Sequence, residues 1–195
     1  TSAARRVENL LAYGKNHPYG EYVSKESVEK ISLADVKAFY KRYFLPNNAY
    51  LIIVGDVHAQ GLKEQVKKLF GKWKKKDFPN DNIPEVNNVS STQIDFVNMP
   101  NAVQTEVSVQ NTVSLRKKDA DYFPLLIANG ILGGGGEARL FLNLREDKGY
   151  TYGSYSRIGN NKYTNSRFRA SASVRNAVVD SAVVELLYEI NRMKN

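Results

Sequence analysis

The sequence predicts an α+β fold, an antiparallel-rich mixed sheet with helices packed on one of its faces. Two stretches alternate with period two. Val103, Val107, Val109 and Val113 oppose Gln104, Glu106, Ser108 and Gln110, while Phe168, Ala170, Ala172 and Val174 oppose Arg167, Arg169, Ser171, Ser173 and Arg175. Strands of that kind have one wet side, as in an antiparallel sheet backed by helices. Around them run apolar stripes at helical spacing, and strands in succession with helices in pairs give a layered arrangement. With 195 residues, 42% hydrophobic and 25% charged, the chain can bury a real core.

In chain order, Ala3–Tyr13 reads as a short helix ended by Gly14 and Pro18, and His17-Pro-Tyr-Gly20 as a turn. A second short helix is expected over Ser24–Ile31. Ser32-Leu-Ala-Asp35 has the form of a capping box. The helix it opens aligns Leu33, Val36, Tyr40 and Tyr43, and Pro46 stops it. Asn48–Val54 is a continuous apolar run that suits a buried strand. Gly55-Asp56 leads into a helix with Leu62, Val66, Leu69, Phe70 and Trp73 on one face. Lys74 to Ser91, rich in Pro and Asn and without periodicity, reads as a boundary.

Strands are then expected at Thr92–Asn98 and Ala102–Leu115. A helix follows, capped by Asp119 or Asp121, with Phe123, Leu126, Ile127 and Ile131 in a stripe. Gly133 to Gly136 form a sharp corner, because each glycine inside a helix costs about 1 kcal/mol against alanine. Glu137–Lys148 is rich in helix formers, and Gly149 is a natural left-handed stop. Beyond it, alternation places Tyr150, Tyr152, Ser154 and Ser156 on one strand face. After the strand over Tyr163–Arg175, Asn176 caps a last helix with Val179, Val183, Leu186, Leu187 and Ile190 facing in.

Several function classes are disfavoured by composition. No apolar run approaches the 18 or so residues of a membrane span, and without cysteine there is neither a disulfide nor a thiolate metal site. The formal charge of +8 is spread along the chain, which fits solubility better than a polyanion-binding face. A phosphate loop needs Lys-Ser/Thr after its glycines, whereas Glu137-Ala138 follows here. No Gly-x-Ser-x-Gly occurs.

The run Leu132-Gly-Gly-Gly, Arg139-Leu-Phe, Leu144-Arg145, Gly149 and Tyr152 resembles the non-catalytic half of the pitrilysin/insulinase (inverzincin) family of zinc metallopeptidases. The same half builds mitochondrial processing peptidases and bacterial zinc protease homologues. His17-Pro-Tyr-Gly20, the helix from Ile31, Tyr43-x-x-Pro-Asn-Asn48, Val54-Gly-Asp56 and Phe70-Gly-x-Trp73 are similar to the end of the family's first lobe, so the resemblance covers nearly the whole chain. It implies a LuxS/metallopeptidase-like two-layer sandwich, with 1–78 ending one lobe, 79–91 a linker, and 92–195 most of the next lobe.

The resemblance also implies a role. An Arg and a Tyr seven positions later reach substrate peptide near the zinc in the family, and Arg145 and Tyr152 match that spacing. Gly134 and Gly135, at the corner, are the further substrate-binding candidates. Zinc in the family sits on H-x-x-E-H with a distal Glu. Only His17 and His58 occur here, in different motifs, so no metal ligand is assigned and this chain alone is expected to be inactive.

Zinc is expected in the full-length protein or a partner. The chain is thus expected to be the substrate-clamping portion of a zinc metalloendopeptidase, with a zinc-bearing lobe in cis or in trans and a peptide or unfolded protein as substrate. A homodimer through open sheet edges is a further expected partner, and a bacterial periplasmic or envelope location is favoured. A non-catalytic structural subunit of the same family is the alternative. A basic nucleic-acid module, using the row Arg167, Arg169 and Arg175, is a second alternative.

Overall fold

The computed structural model describes residues 2–77 and 82–194, so the last residue of the expected first lobe, 78, and the start of the expected linker, 79–81, lie outside the described residues. The chain groups into two compact units, Thr1–Tyr22 with Ile83–Asn195 and, separately, Val23–Asn82. One division falls within the expected linker. The first 22 residues, however, group with the later part of the chain.

The larger unit is built on a three-stranded antiparallel sheet of β1 (Gln104–Val113), β2 (Thr151–Ile158) and β3 (Ser166–Arg175), in the order β1-β3-β2. Val107 stands opposite Ala172 and Val109 opposite Ala170, so the apolar sides of both strands face one way. Onto that face pack α5 (Tyr122–Gly133), α6 (Arg139–Phe141) with the wider turn that continues it, and α7 (Val179–Arg192). The core holds Val107, Ala170, Ala172 and Val174 of the sheet against Leu132, Leu140, Leu144, Ala182 and Leu186 of the helices. This is the α+β sandwich that the alternation predicts.

The opposite face of β1 and β3 is not simply wet. Helix α1 (Ser2–Tyr13) lies over it. Its Glu8, 7% exposed, accepts from Arg169 at 2.8 and 2.9 Å and from the Ser108 hydroxyl at 2.7 Å. Arg169 also donates to Glu106 at 3.0 Å. Arg167 donates to Asn9 and Gln110. Arg169 and Arg167 are therefore held by side-chain partners within the chain, and Arg175 donates to the Gly149 carbonyl at 3.5 Å. Burial pushes the Glu8 carboxyl up, but the bonds from Arg169 and Ser108 and the nearby arginine charges outweigh it and hold it below the ordinary carboxylate value.

Several local expectations are corrected. The stripe Phe123, Ile127 and Ile131 of α5 faces solvent, and the buried side carries Tyr122, Leu132 and Gly133 instead. α5 is apolar around most of its circumference, so a stripe on either side satisfied the same spacing. Asp121 stands at the N-cap without a side-chain bond, and Asp119 accepts from the Arg116 backbone N–H. Asn176 does not cap α7; its amide donates to the Ala102 carbonyl and its oxygen accepts from Thr105, tying the start of β1.

In the smaller unit, α2 (Lys25–Glu29) and α3 (Leu33–Tyr43) carry reciprocal capping boxes at Ser24 and Ser32, followed by α4 (Ala59–Phe70). In the stripe of α3, Leu33, Val36 and Tyr40 are exposed and Tyr43 is half-buried, and Leu45 is the one buried residue of this unit among those described. The expected strands at 48–54 and 92–98 are not formed as paired strands, and Tyr50, Ile52, Val54, Ile94 and Phe96 are open to solvent. A strand exists through its neighbour's backbone groups, and no described residue supplies that neighbour.

Candidate functional site

The corner begins where α5 meets β2. A methyl group on Gly133 would come within 2.2 Å of the Ser156 backbone nitrogen. Glycine is required there by contact between helix and strand, and the flanking Asn129 amide donates to the Ser156 carbonyl at 3.2 Å. Gly134 and Gly135 follow with no such contact from the sheet; a Cβ on Gly135 would meet open space. Ala138 is buried at the N-cap of α6.

From Leu142 to Asp147 the helix widens into a π turn, with the Lys148 N–H bonded to the Asn143 carbonyl five residues back, before the Gly149 N–H returns to the Arg145 carbonyl four residues back. The continuous α-helix expected over 137–148 is thus a short α turn followed by a π turn, a conformation that is rare and frequent at functional sites. Gly149, at φ +61°, ends it in the left-handed conformation that was expected.

Three polar ties fasten this segment to α7. Arg139 pairs with Glu189 at 2.9 Å, and the Asn143 amide donates to Glu185 and to Glu189, each at 2.9 Å. Glu189 is 2% exposed. Burial raises its carboxyl pKa, but Asn143, Arg139 and Arg192 together hold it below its ordinary value. Arg145 lies outside this cluster, its guanidinium 5.2 Å over the Phe141 ring, paired with Glu146 and 42% exposed along its side chain.

Tyr152 owes its direction to a bulge. Thr151 stands opposite Val174 and Ser154 opposite Ala172, so Tyr152 and Gly153 together oppose Ser173. The extra residue breaks the expected alternation. Ser154 and Ser156 are buried beneath the helices, while Tyr152 is 86% exposed. It borders a recess of about 350 Å³ on the open sheet face, with Tyr155, Glu106 and Gln104 around a floor of Ser171 and Ser173. Arg145, Gly134 and Gly135 do not line that recess.

Neither histidine resembles a metal site. His17 is buried against Tyr13, rings 5.0 Å apart, and its Nδ1 accepts from the Tyr19 N–H at 3.0 Å, which makes it part of the turn. His58 is exposed at the start of α4. Among the described residues no three His, Asp or Glu side chains converge to hold a metal. The donor set of the described residues does not fit zinc.

Sequence reasoning missed the Glu8–Arg169–Glu106 and Arg139–Glu189–Asn143 clusters. The one available signal for the first was the polar row Glu106, Ser108, Gln110 beside the basic row of β3, unlike charges on one face. The second had none, since its partners lie 50 and 46 positions apart in the chain.

Residues 30–195 match the profile of the Peptidase M16 inactive domain, and the chain belongs to that family. It is the zinc-free domain type that the glycine corner and the Arg-Leu-Phe motif indicated. Among relatives, the chain is 25% identical over 146 residues to the probable inactive metalloprotease YmfF of Bacillus subtilis, covering 74% of this chain and 34% of that protein. It is 29% identical over 155 residues to an uncharacterized zinc protease of Mycobacterium tuberculosis, covering 76% of this chain and 34% of the relative. The chain thus spans about a third of these relatives.

Among solved structures, a peptidase M16 inactive domain from Pseudomonas fluorescens superposes with TM-score 0.82 at 22% identity, over 97% of this chain and 45% of that one. A protease from Helicobacter pylori gives 0.71 at 23% identity, over 91% and 47%. These likenesses establish the fold.

Proposed function

We propose that this chain is the substrate-holding, zinc-free portion of a larger peptidase, active in hydrolysis only beside a zinc-bearing lobe in cis or in trans. The observation that carries the reading is the bulge, which turns Tyr152 outward on a strand with a free edge, seven residues after Arg145 on an exposed π turn. Among the described residues β2 has β3 on one side only, so an extended peptide can add to it through main-chain bonds. A phenol and a guanidinium both donate hydrogen bonds. Placed beside a peptide carbonyl, such donors favour the negative oxygen of the tetrahedral intermediate over the ground state.

The test is turnover by the full-length protein. Tyr152→Phe removes one donor without changing shape, and turnover is expected to fall by roughly 10² to 10³, the range for one lost oxyanion donor. Turnover equal to that of the unmodified protein would refute the assignment. The name of the Bacillus relative, an inactive metalloprotease, supports a second reading in which the assembled protein holds peptides or partners without cleaving them. Zinc-loaded full-length protein that binds a peptide yet releases no fragments would favour it.

A further inference from the structure

We propose that Thr151 is the positioning residue for Tyr152, its hydroxyl holding the bulge that turns the phenol outward; the proposal rests on the peptide-holding reading and adds the group that keeps its donor in place. The pairing of β2 with β3 sets Arg157 opposite Arg169 and Tyr155 opposite Ser171. Carried on at period two, the same register would set Gly153 opposite Ser173. Arg169, Ser171 and Ser173 belong to the alternate residues of β3 whose backbone groups face β2, as the Arg167 carbonyl shows by accepting from the Gly159 N–H at 2.8 Å. The bulge breaks that register, and beyond it Thr151 stands opposite Val174. Two ladder groups, the Gly153 N–H and the Ser173 carbonyl, are thereby kept from bonding each other directly.

The Thr151 hydroxyl stands between them. It accepts from the Gly153 N–H at 3.2 Å and donates to the Ser173 carbonyl at 2.7 Å, with the Gly153 carbonyl at 3.0 Å a second acceptor for the same hydrogen. A hydroxyl carries one donor hydrogen and two acceptor lone pairs, so it relays the bond that the backbone groups no longer make. On the open side the Tyr155 ring covers Gly153, since a Cβ there would lie 2.7 Å from a ring carbon. Tyr152 sits between these two held neighbours. At 86% exposure it has little packing of its own, so the backbone on either side sets where the phenol points.

The side-chain chemistry separates this role from mere space filling. Serine keeps the hydroxyl, whereas valine keeps the shape of threonine and removes the bonding group. Without the hydroxyl, the Gly153 N–H and Ser173 carbonyl lose their relay, and the bulge is free to shift.

The experiment is a double-mutant cycle on peptide turnover by the full-length protein. Thr151→Val is expected to lower kcat by about 10²-fold, the scale for a misplacement of about 1 Å, with Thr151→Ser within about threefold of the parent. In the Tyr152→Phe background the donor is already gone, so Thr151→Val should change kcat by less than about threefold. A merely structural loss would lower turnover equally in both backgrounds. For a parent that binds peptide without cleaving it, the same cycle is read on peptide Kd, with the same pattern expected.

An undiminished Thr151→Val effect in the Tyr152→Phe background overturns the proposal. So does parent-level kcat in Thr151→Val, or an equal loss in Thr151→Ser. Thr151→Ala, smaller and also without the hydroxyl, takes the place of valine in the cycle if the valine variant does not fold. One check needs no variant: the Gly153 amide of the parent should exchange hydrogen more slowly than in an unstructured peptide. Exchange at the unstructured rate overturns the role of the hydroxyl. Each of these outcomes leaves peptide holding intact, whereas parent-level function in Tyr152→Phe alone overturns that reading and the proposal together.

Discussion

Gly133 and Gly135 stand two residues apart in the same glycine run, yet the fold treats them differently. A methyl group on Gly133 meets the Ser156 backbone at 2.2 Å, and one on Gly135 meets nothing. Gly133→Ala is therefore expected to destabilise by about 2 kcal/mol through overpacking. Gly135→Ala should stay within about 0.5 kcal/mol of the parent, as open surface positions do. Urea midpoints of the two variants check both values; equal midpoints would show that the run serves only as a turn. The glycine run was visible in the sequence as a corner, but its reason was not, because the strand it touches lies more than twenty residues later. Arg145 and Tyr152 were singled out by a spacing shared with the family, and the structure places them on the π turn and at the bulged start of β2, where Tyr152 but not Arg145 borders the recess.

At the scale of elements, α1 is tied to the sheet by the bonds of Glu8 to Arg169 and Ser108. Arg169→Leu leaves Glu8 and Glu106 without their shared cation, and the expected loss is about 3 kcal/mol, the lower end for breaking a buried pair. A loss below about 0.5 kcal/mol in chemical denaturation would mean that α1 is held by other contacts. The pH dependence has a definite sign. The carboxyls of Glu8 and Glu189 are held below their ordinary value, so their contribution is fully present above the ordinary carboxylate range. It is lost as pH falls through the lower, folded-state values. Melting temperatures of Glu8→Gln and the parent should therefore converge on acidification, and a gap that is constant from neutral to strongly acid pH would contradict this. Elements whose determinants are local were readable: the Ser32–Asp35 box caps α3 as the spacing required. The π turn, the bulge and the strap of α1 were not, since each depends on a partner distant in sequence.

Across the whole molecule, stability is expected to be uneven. β3 is bonded on both sides, whereas the apolar segments at 50–54 and 94–97 have no strand partner among the described residues. Hydrogen exchange should leave β3 amides among the slowest in the chain and those of Tyr50 to Val54 among the fastest. Comparable protection in both would show that the apolar run finds a partner in solution. The alternation that made 102–113 and 166–175 legible worked because each has one apolar and one polar side. The continuous apolar run at 48–54 announced burial without saying against what.

The doubled position opposite Ser173 bears, finally, on how such a chain can vary over generations. Exchanging one amino acid for another along β2, Thr151 apart, leaves the outward phenol where it is, because its direction follows from a count of residues. Losing or gaining a single residue there turns one half of the strand over relative to the other, and either the phenol or the two serines beneath α5 must change sides. Beyond Thr151, spelling in this strand is free to drift; its length is not.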